Sequence, residues 1–178
     1  EPFFIKDAFY KRFTAAILNR ESLKIEAFFT KENEATGNFG SVLTFQNSED
    51  FSFTKKINTK TTSRLASFQQ NLKPAFRLLI IGAEHDALKL CEIAALLGWQ
   101  VDIVTSIKDP KSSLDFPGVN SVIGSTAEMF DFSKIDANTG IVIMNHSYAQ
   151  DLKYVLQLVD KKPAYLGRRA FSGGLTST

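Results

Sequence analysis

Hydrophobic positions are spaced differently in the two halves of the chain. Phe9, Phe13, Ala16 and Ile17 share one helical face, and Asp7 is placed to cap the start of that helix. Leu23, Ile25, Ala27 and Phe29 then alternate with Lys24, Glu26 and Phe28, the period of a strand. Gly37-Asn38-Phe39-Gly40 is turn chemistry. Two more strands are predicted over Val42–Phe45 and Phe51–Phe53, joined through Asn47-Ser48-Glu49-Asp50. The polar run from Asn58 to Ser63 reads as a loop. One helix and three strands make a thin core, so this part is expected to lean on another surface.

After Pro74 the pattern changes to unbroken apolar runs separated by helical periods. Strands are predicted over Arg77–Ile81, Val101–Thr105, Val119–Ile123, Gly140–Met144 and Ala164–Leu166. A helix over Asp86–Gly98 is predicted to turn Leu88, Cys91, Ala95 and the Leu96-Leu97 pair toward the sheet and to end at Gly98. A second helix is predicted over Asp151–Val159, with Asp151 as its N-cap. Alternation of this length implies an α/β fold: a doubly wound, parallel, Rossmann-like sheet preceded by a small α+β domain with an antiparallel meander. The boundary falls between Gln70 and Phe76, giving domains over residues 1–73 and 74–178.

Composition supports that division, since 12 of the 16 Phe precede residue 77. Phe has no polar handle to orient a ligand, so the excess reads as core. An apolar fraction of 44% and a charged fraction of 22% are those of a globular chain. The net charge of +2 splits into 11 Lys/Arg against 8 Asp/Glu over residues 1–76 and 10 against 11 over 77–178. Neither half carries the basic stripe that nucleic acid requires. No apolar run reaches the roughly 20 residues of a membrane span, and no secretory signal opens the chain, so no membrane partner and a cytoplasmic location are expected. The single Cys91 excludes an internal disulfide and reads as a small core residue. The missing initiator Met, the thin first domain and the Ser-Gly-Gly-Leu-Thr ending suggest portions of a longer chain.

A doubly wound sheet binds ligands at the carboxyl ends of its strands. The first such turn reads Gly82-Ala83-Glu84-His85-Asp86-Ala87. Gly82 fits the dinucleotide fingerprint, and Ala87 is an accepted substitute for its third glycine. Glu84 stands where the second glycine lets backbone approach a pyrophosphate, and its charge opposes phosphate at the helix start; a helix-capping role for it is equally open. Strand two ends at Thr105, where an NAD site usually carries an acid for the ribose. NAD(P) is therefore disfavoured by Glu84 and Thr105. Asn145 and His146 follow strand four on the ligand side and could contact a phosphate or pterin. His85 could face the same crevice. With Glu84 and Asp86, the two His are weak evidence for a metal, and none is expected. Arg168 and Arg169 either meet an anionic ligand beyond the last strand or form a solvated pair.

The string RLLIIGAEHDALKLCEIAALLGWQVDIVTS resembles the Rossmann domain of the XdhC/CoxI family of xanthine dehydrogenase accessory proteins. So do the ordered segments DFPGV, IVIMNHSYAQD and PAYLG, and the resemblance runs over about residues 74–167. In that family Glu84 replaces a Gly, Thr105 replaces an Asp, and an upstream Cys-Gly-Gly region has no counterpart here. The resemblance implies maturation of a molybdenum hydroxylase: binding molybdenum cofactor (molybdopterin), assisting its sulfuration, inserting it into apo-enzyme and acting as a homodimer. The cofactor-binding residues it points to are Gly82, Ala83, Glu84, His85, Asp86, Thr105, Asn145 and His146. Two other classes stay open, an NAD(P)-dependent oxidoreductase and an assembly module that acts by dimerisation with an empty crevice. Whether the chain is itself an enzyme is left open, and no residue is assigned a catalytic role.

Overall fold

The computed structural model describes residues 7–29, 40–53 and 66–168. The Gly37-Asn38-Phe39 turn, the Asn58–Ser63 loop, Arg169 and the C-terminal Ser-Gly-Gly-Leu-Thr lie outside those residues. The chain divides into two units, 1–74 and 75–178.

The first unit holds α1 (Asp7–Leu18), β1 (Leu23–Phe29), β2 (Gly40–Thr44), β3 (Asp50–Ser52) and β4 (Ala66–Leu72). These strands form an antiparallel sheet in the order β3-β2-β1-β4. The meander β1-β2-β3 matches the sequence expectation. β4 does not, because three strands were expected and residues 66–72 pair with the whole of β1. Its middle residues, Ser67 to Asn71, are all exposed, so no hydrophobic alternation marks it. The core gathers Phe9, Ala16, Leu23, Leu43 and Phe45. Ile17 was expected on this buried face and is instead exposed, because the helix buries Phe9 and Ala16 and turns position 17 away. Phe9 is the hub, with ring centroids 4.2 Å from Phe51, 5.5 Å from Phe53 and 5.6 Å from Phe13.

The second unit holds β5 (Arg77–Ile81), α2 (His85–Leu96), β6 (Gln100–Thr105), β7 (Ser121–Gly124), β8 (Thr139–Ile143), α3 (Tyr148–Leu158) and β9 (Tyr165–Arg168). Every pairing is parallel, in the order β7-β6-β5-β8-β9. This is the expected doubly wound sheet, and the order reverses between β5 and β8. Alternate residues of β5 serve opposite layers. Leu78 and Ile80 pack with Ala87, Cys91 and Ala94 of α2, while Leu79 and Ile81 pack with Tyr154 and Leu158 of α3.

Two expectations for the helices need correction. Leu96 is 88% exposed and Leu97 is exposed as well, because the buried stripe runs through Ala87, Cys91 and Ala94, off whose line both leucines fall. The second helix starts at Tyr148, and its N-cap is Ser147, whose hydroxyl accepts a hydrogen bond from the Gln150 N–H at 3.4 Å. Asp151 therefore sits inside the first turn and does not cap it. Gly98 has φ of +76°, the left-handed conformation that ends α2. Among the described residues no helix is long and apolar enough to cross a membrane.

One polar cluster pins the sheet from inside. Asp102 on β6 is buried and accepts hydrogen bonds from Arg77 Nε at 2.6 Å, Asn120 Nδ2 at 2.8 Å and Ser121 Oγ at 2.5 Å. Burial alone would raise its pKa. Its donors and the Arg77 charge together outweigh that, holding the carboxyl below its ordinary value.

Candidate functional site

The reversal of strand order opens a crevice at the carboxyl ends of β5, β6 and β8. Gly82 makes it geometrically feasible. Its φ is +120°, and a Cβ there would meet the Met144 carbonyl carbon and oxygen at 2.8 Å. Its N–H donates to the Val104 carbonyl at 2.9 Å, while the Met144 N–H donates to the Ile81 carbonyl at 2.7 Å. These bonds fix the ends of three strands around the turn.

The crevice measures about 80 Å³ and is lined by Gly82, Ala83, Glu84, Thr105, Ser106, Asp109, Lys111, Asn145 and His146. Ordinary small-molecule pockets occupy roughly 300–1,000 Å³. The crevice as it stands is therefore a small one, with room for a few waters or for one end of a ligand that extends beyond it.

Six of the eight residues singled out in the sequence converge here: Gly82, Ala83, Glu84, Thr105, Asn145 and His146. His85 and Asp86 are the first two residues of α2 and do not line the crevice. Glu84 occupies the N-cap position of α2 in extended backbone, but its side chain makes no capping hydrogen bond. Its exposed carboxylate stands at the helix start, where a phosphate would otherwise be favoured. Thr105 is buried and its hydroxyl donates to the Asp109 carbonyl at 3.2 Å. Asn145 Nδ2 is buried without a hydrogen-bond partner. Such an orphaned donor beside a crevice suits a ligand acceptor.

Ser106, Asp109 and Lys111 were not anticipated. The segment after β6 folds back, with the Lys108 N–H donating to Ser106 Oγ at 3.2 Å and Lys111 Nζ lying 3.2 Å from Asp109 Oδ2. The available signal was Ser106 together with Asp109-Pro110, residues that favour a turn. Cys91 is buried in α2, and burial pushes its thiol pKa up, keeping it protonated and unreactive. Among the described residues no three His, Cys, Asp or Glu side chains gather as a metal site. A larger open hollow of about 700 Å³ lies between the end of α3 and β9. It is lined by Lys161 to Leu166 and thus opens around the start of β9, away from the ligand edge.

Beyond β8, Asp151 is fully buried and lies 3.2 Å from Arg168 Nε. The Arg168 guanidinium sits 4.9 Å from the centre of the Tyr148 ring.

The family model for the XdhC Rossmann domain matches residues 78–169. A solved structure described as a xanthine dehydrogenase from Bacillus halodurans is similar with a TM-score of 0.68 and 18% identity, over 91% of this chain and 52% of that one. That likeness is one of fold, and the chain spans about half the length of that protein. No curated protein matches.

Proposed function

The chain belongs to the family of the XdhC Rossmann domain, and on that premise we propose that it serves the maturation of a molybdenum-containing hydroxylase of the xanthine dehydrogenase type. It binds molybdenum cofactor as cargo, hands it to the apo-enzyme, and works in the cytoplasm as a homodimer. The observation that carries this reading is the convergence of Gly82, Asn145 and His146 at one crevice inside the matched domain. Asn145 offers an unpartnered donor and His146 an exposed imidazole. Both suit the many acceptors of a pterin or its phosphate. The exposed Glu84 and the absence of an acid at the end of β6 weigh against a nicotinamide dinucleotide.

The test is a strain lacking this gene. Its hydroxylase should accumulate as protein but with low cofactor content, and a copy carrying Asn145→Ala with His146→Ala should restore about tenfold less active enzyme than the unaltered gene, as expected for lost hydrogen bonds. Full cofactor content in the deletion strain would overturn the reading. Fluorescence titration with NADH and NADPH tests the oxidoreductase alternative, which is removed by a lack of binding at millimolar concentration.

A further inference from the structure

A crevice of about 80 Å³ admits only one end of a ligand, and the groups around it decide which end. Its lining carries two carboxylates, Glu84 and Asp109, against one ammonium, Lys111, and that lysine already lies 3.2 Å from Asp109. The surplus charge is negative and repels a phosphate. What the lining offers instead is an unmatched acceptor and an unmatched donor. Glu84 is exposed at the start of α2, and its carboxylate makes no capping hydrogen bond and no ion pair with another described residue. An ionised carboxylate only accepts hydrogen bonds, so its partners must bring N–H or O–H groups. Asn145 Nδ2, just beyond β8, is buried with no acceptor, and such a donor is costly until it meets one. The two sides adjoin. A Cβ on Gly82, two residues before Glu84, would lie 3.1 Å from the Asn145 backbone nitrogen.

We propose that this crevice takes the edge of a planar ring that presents a carbonyl beside an N–H and an amino group, the 2-amino-4-oxo edge shared by pterins and guanine. Asn145 donates to the ring carbonyl, and the Glu84 carboxylate accepts from the ring N–H and the amino group. Both unmatched groups are then satisfied together, and the phosphate end of the ligand stays outside. Hydrogen bonds to a carboxylate are charge-assisted, so Glu84 supplies most of the selectivity for this edge. The side chain that obstructs a pyrophosphate thus becomes the one that selects the ring. The inference rests on the reading of the crevice as the ligand site and deepens it by naming the end of the ligand that enters.

The test is titration of the full chain with pterin, followed by its fluorescence, against lumazine, the same ring with an oxygen in place of the amino group. Mildly acidic buffer keeps both rings uncharged. Saturable binding of pterin is expected, with lumazine about tenfold weaker or more, because its second carbonyl faces the Glu84 carboxylate. Glu84→Gln, at an exposed position, should reverse that preference. The amide loses the charged acceptor for the amino group and gains an N–H for the second carbonyl, so pterin weakens about tenfold and lumazine tightens. Asn145→Asp replaces the donor with an acceptor of nearly the same shape and should weaken both rings; if that variant fails to fold, the Glu84→Gln ratio still decides. Guanosine in place of pterin separates the two sources of the edge, and saturable binding of either supports it. A ratio of pterin to lumazine unchanged in Glu84→Gln, no saturable binding of pterin or guanosine up to their solubility, or displacement of bound pterin by inorganic pyrophosphate overturns the proposal. The deletion strain reports separately: a hydroxylase short of cofactor beside an unchanged ratio removes the ring edge and leaves the maturation reading standing.

Discussion

Arg12 and Arg77 each tie separate segments through carboxylates, yet the two ties do different work. In the first unit Arg12 binds Glu21 through two nitrogens, at 2.7 and 3.2 Å, reaches Glu49 at 3.2 Å and lies 4.2 Å above the Phe45 ring. This network is only partly buried, with Glu49 exposed, so its ion pairs are screened more than the Arg77 pair and contribute less. In the second unit Arg77 meets Asp102 with side chains only 12% and 5% exposed, and Asp102 has two further donors. There the charges are committed, because removing one leaves the other buried. The first unit therefore depends on rings packed around Phe9, and the second on a two-layered aliphatic core nailed by a polar cluster.

Four measurements sharpen or break this contrast. Phe9→Ala should cost the first unit about 3–5 kcal/mol, the range for emptying an aromatic from a core. Calorimetry should show the transition of the first unit lost or greatly lowered, with that of the second unmoved; a shift in both would end the comparison. Asp102→Ala should cost the second unit about 3 kcal/mol, because it strands Arg77 beneath β6. Acid provides an independent check on the same group. The Asp102 carboxyl titrates lower in the folded chain than its ordinary value of 3.8. Its stabilisation is therefore complete above 3.8 and lost as pH falls through the folded value, so the second unit should weaken below that point and not above it. Arg12→Lys should have the smallest effect, a barely altered denaturation midpoint for the first unit. A large loss there would mean that this partly buried network bears more of the fold than its screening allows.

The same contrast explains what could be read from the sequence. The continuous apolar runs of β5, β6 and β8 are consequences of burial on both faces, so the parallel sheet was legible, as was the meeting of Gly82 and Asn145 at the carboxyl edge of its strands. β4 was not, because an edge strand with exposed Gln69, Gln70 and Asn71 satisfies its backbone through β1 without needing apolar side chains. Leu96 and Leu97 looked buried by composition, but the stripe of α2 is set by Ala87, Cys91 and Ala94. Asp109 and Lys111 reach the crevice only because residues 106–111 fold back, a tertiary fact with weak local signal. Asp102 was passed over within an apolar strand, and its partners lie 18 to 25 positions away.

The pairing of β4 with β1 also sets an order of events during synthesis. Phe28 pairs with Ser67 and Leu23 with Leu72, so the central strand of the first sheet waits for a stretch made some forty residues later. Contacts this far apart slow folding, because a long loop must close before they form. The helix and meander emerging from a ribosome thus have an open edge on β1 until the chain reaches Leu72, two residues before the boundary at Pro74. Nascent chains stalled near residue 100, with the meander through Ser52 clear of the exit tunnel but β4 still inside it, should be cleaved readily by protease, and chains stalled some forty residues or more beyond Leu72, with β4 clear of the tunnel, should resist it. Equal resistance at both lengths would show that β4 is an addition to a sheet already formed.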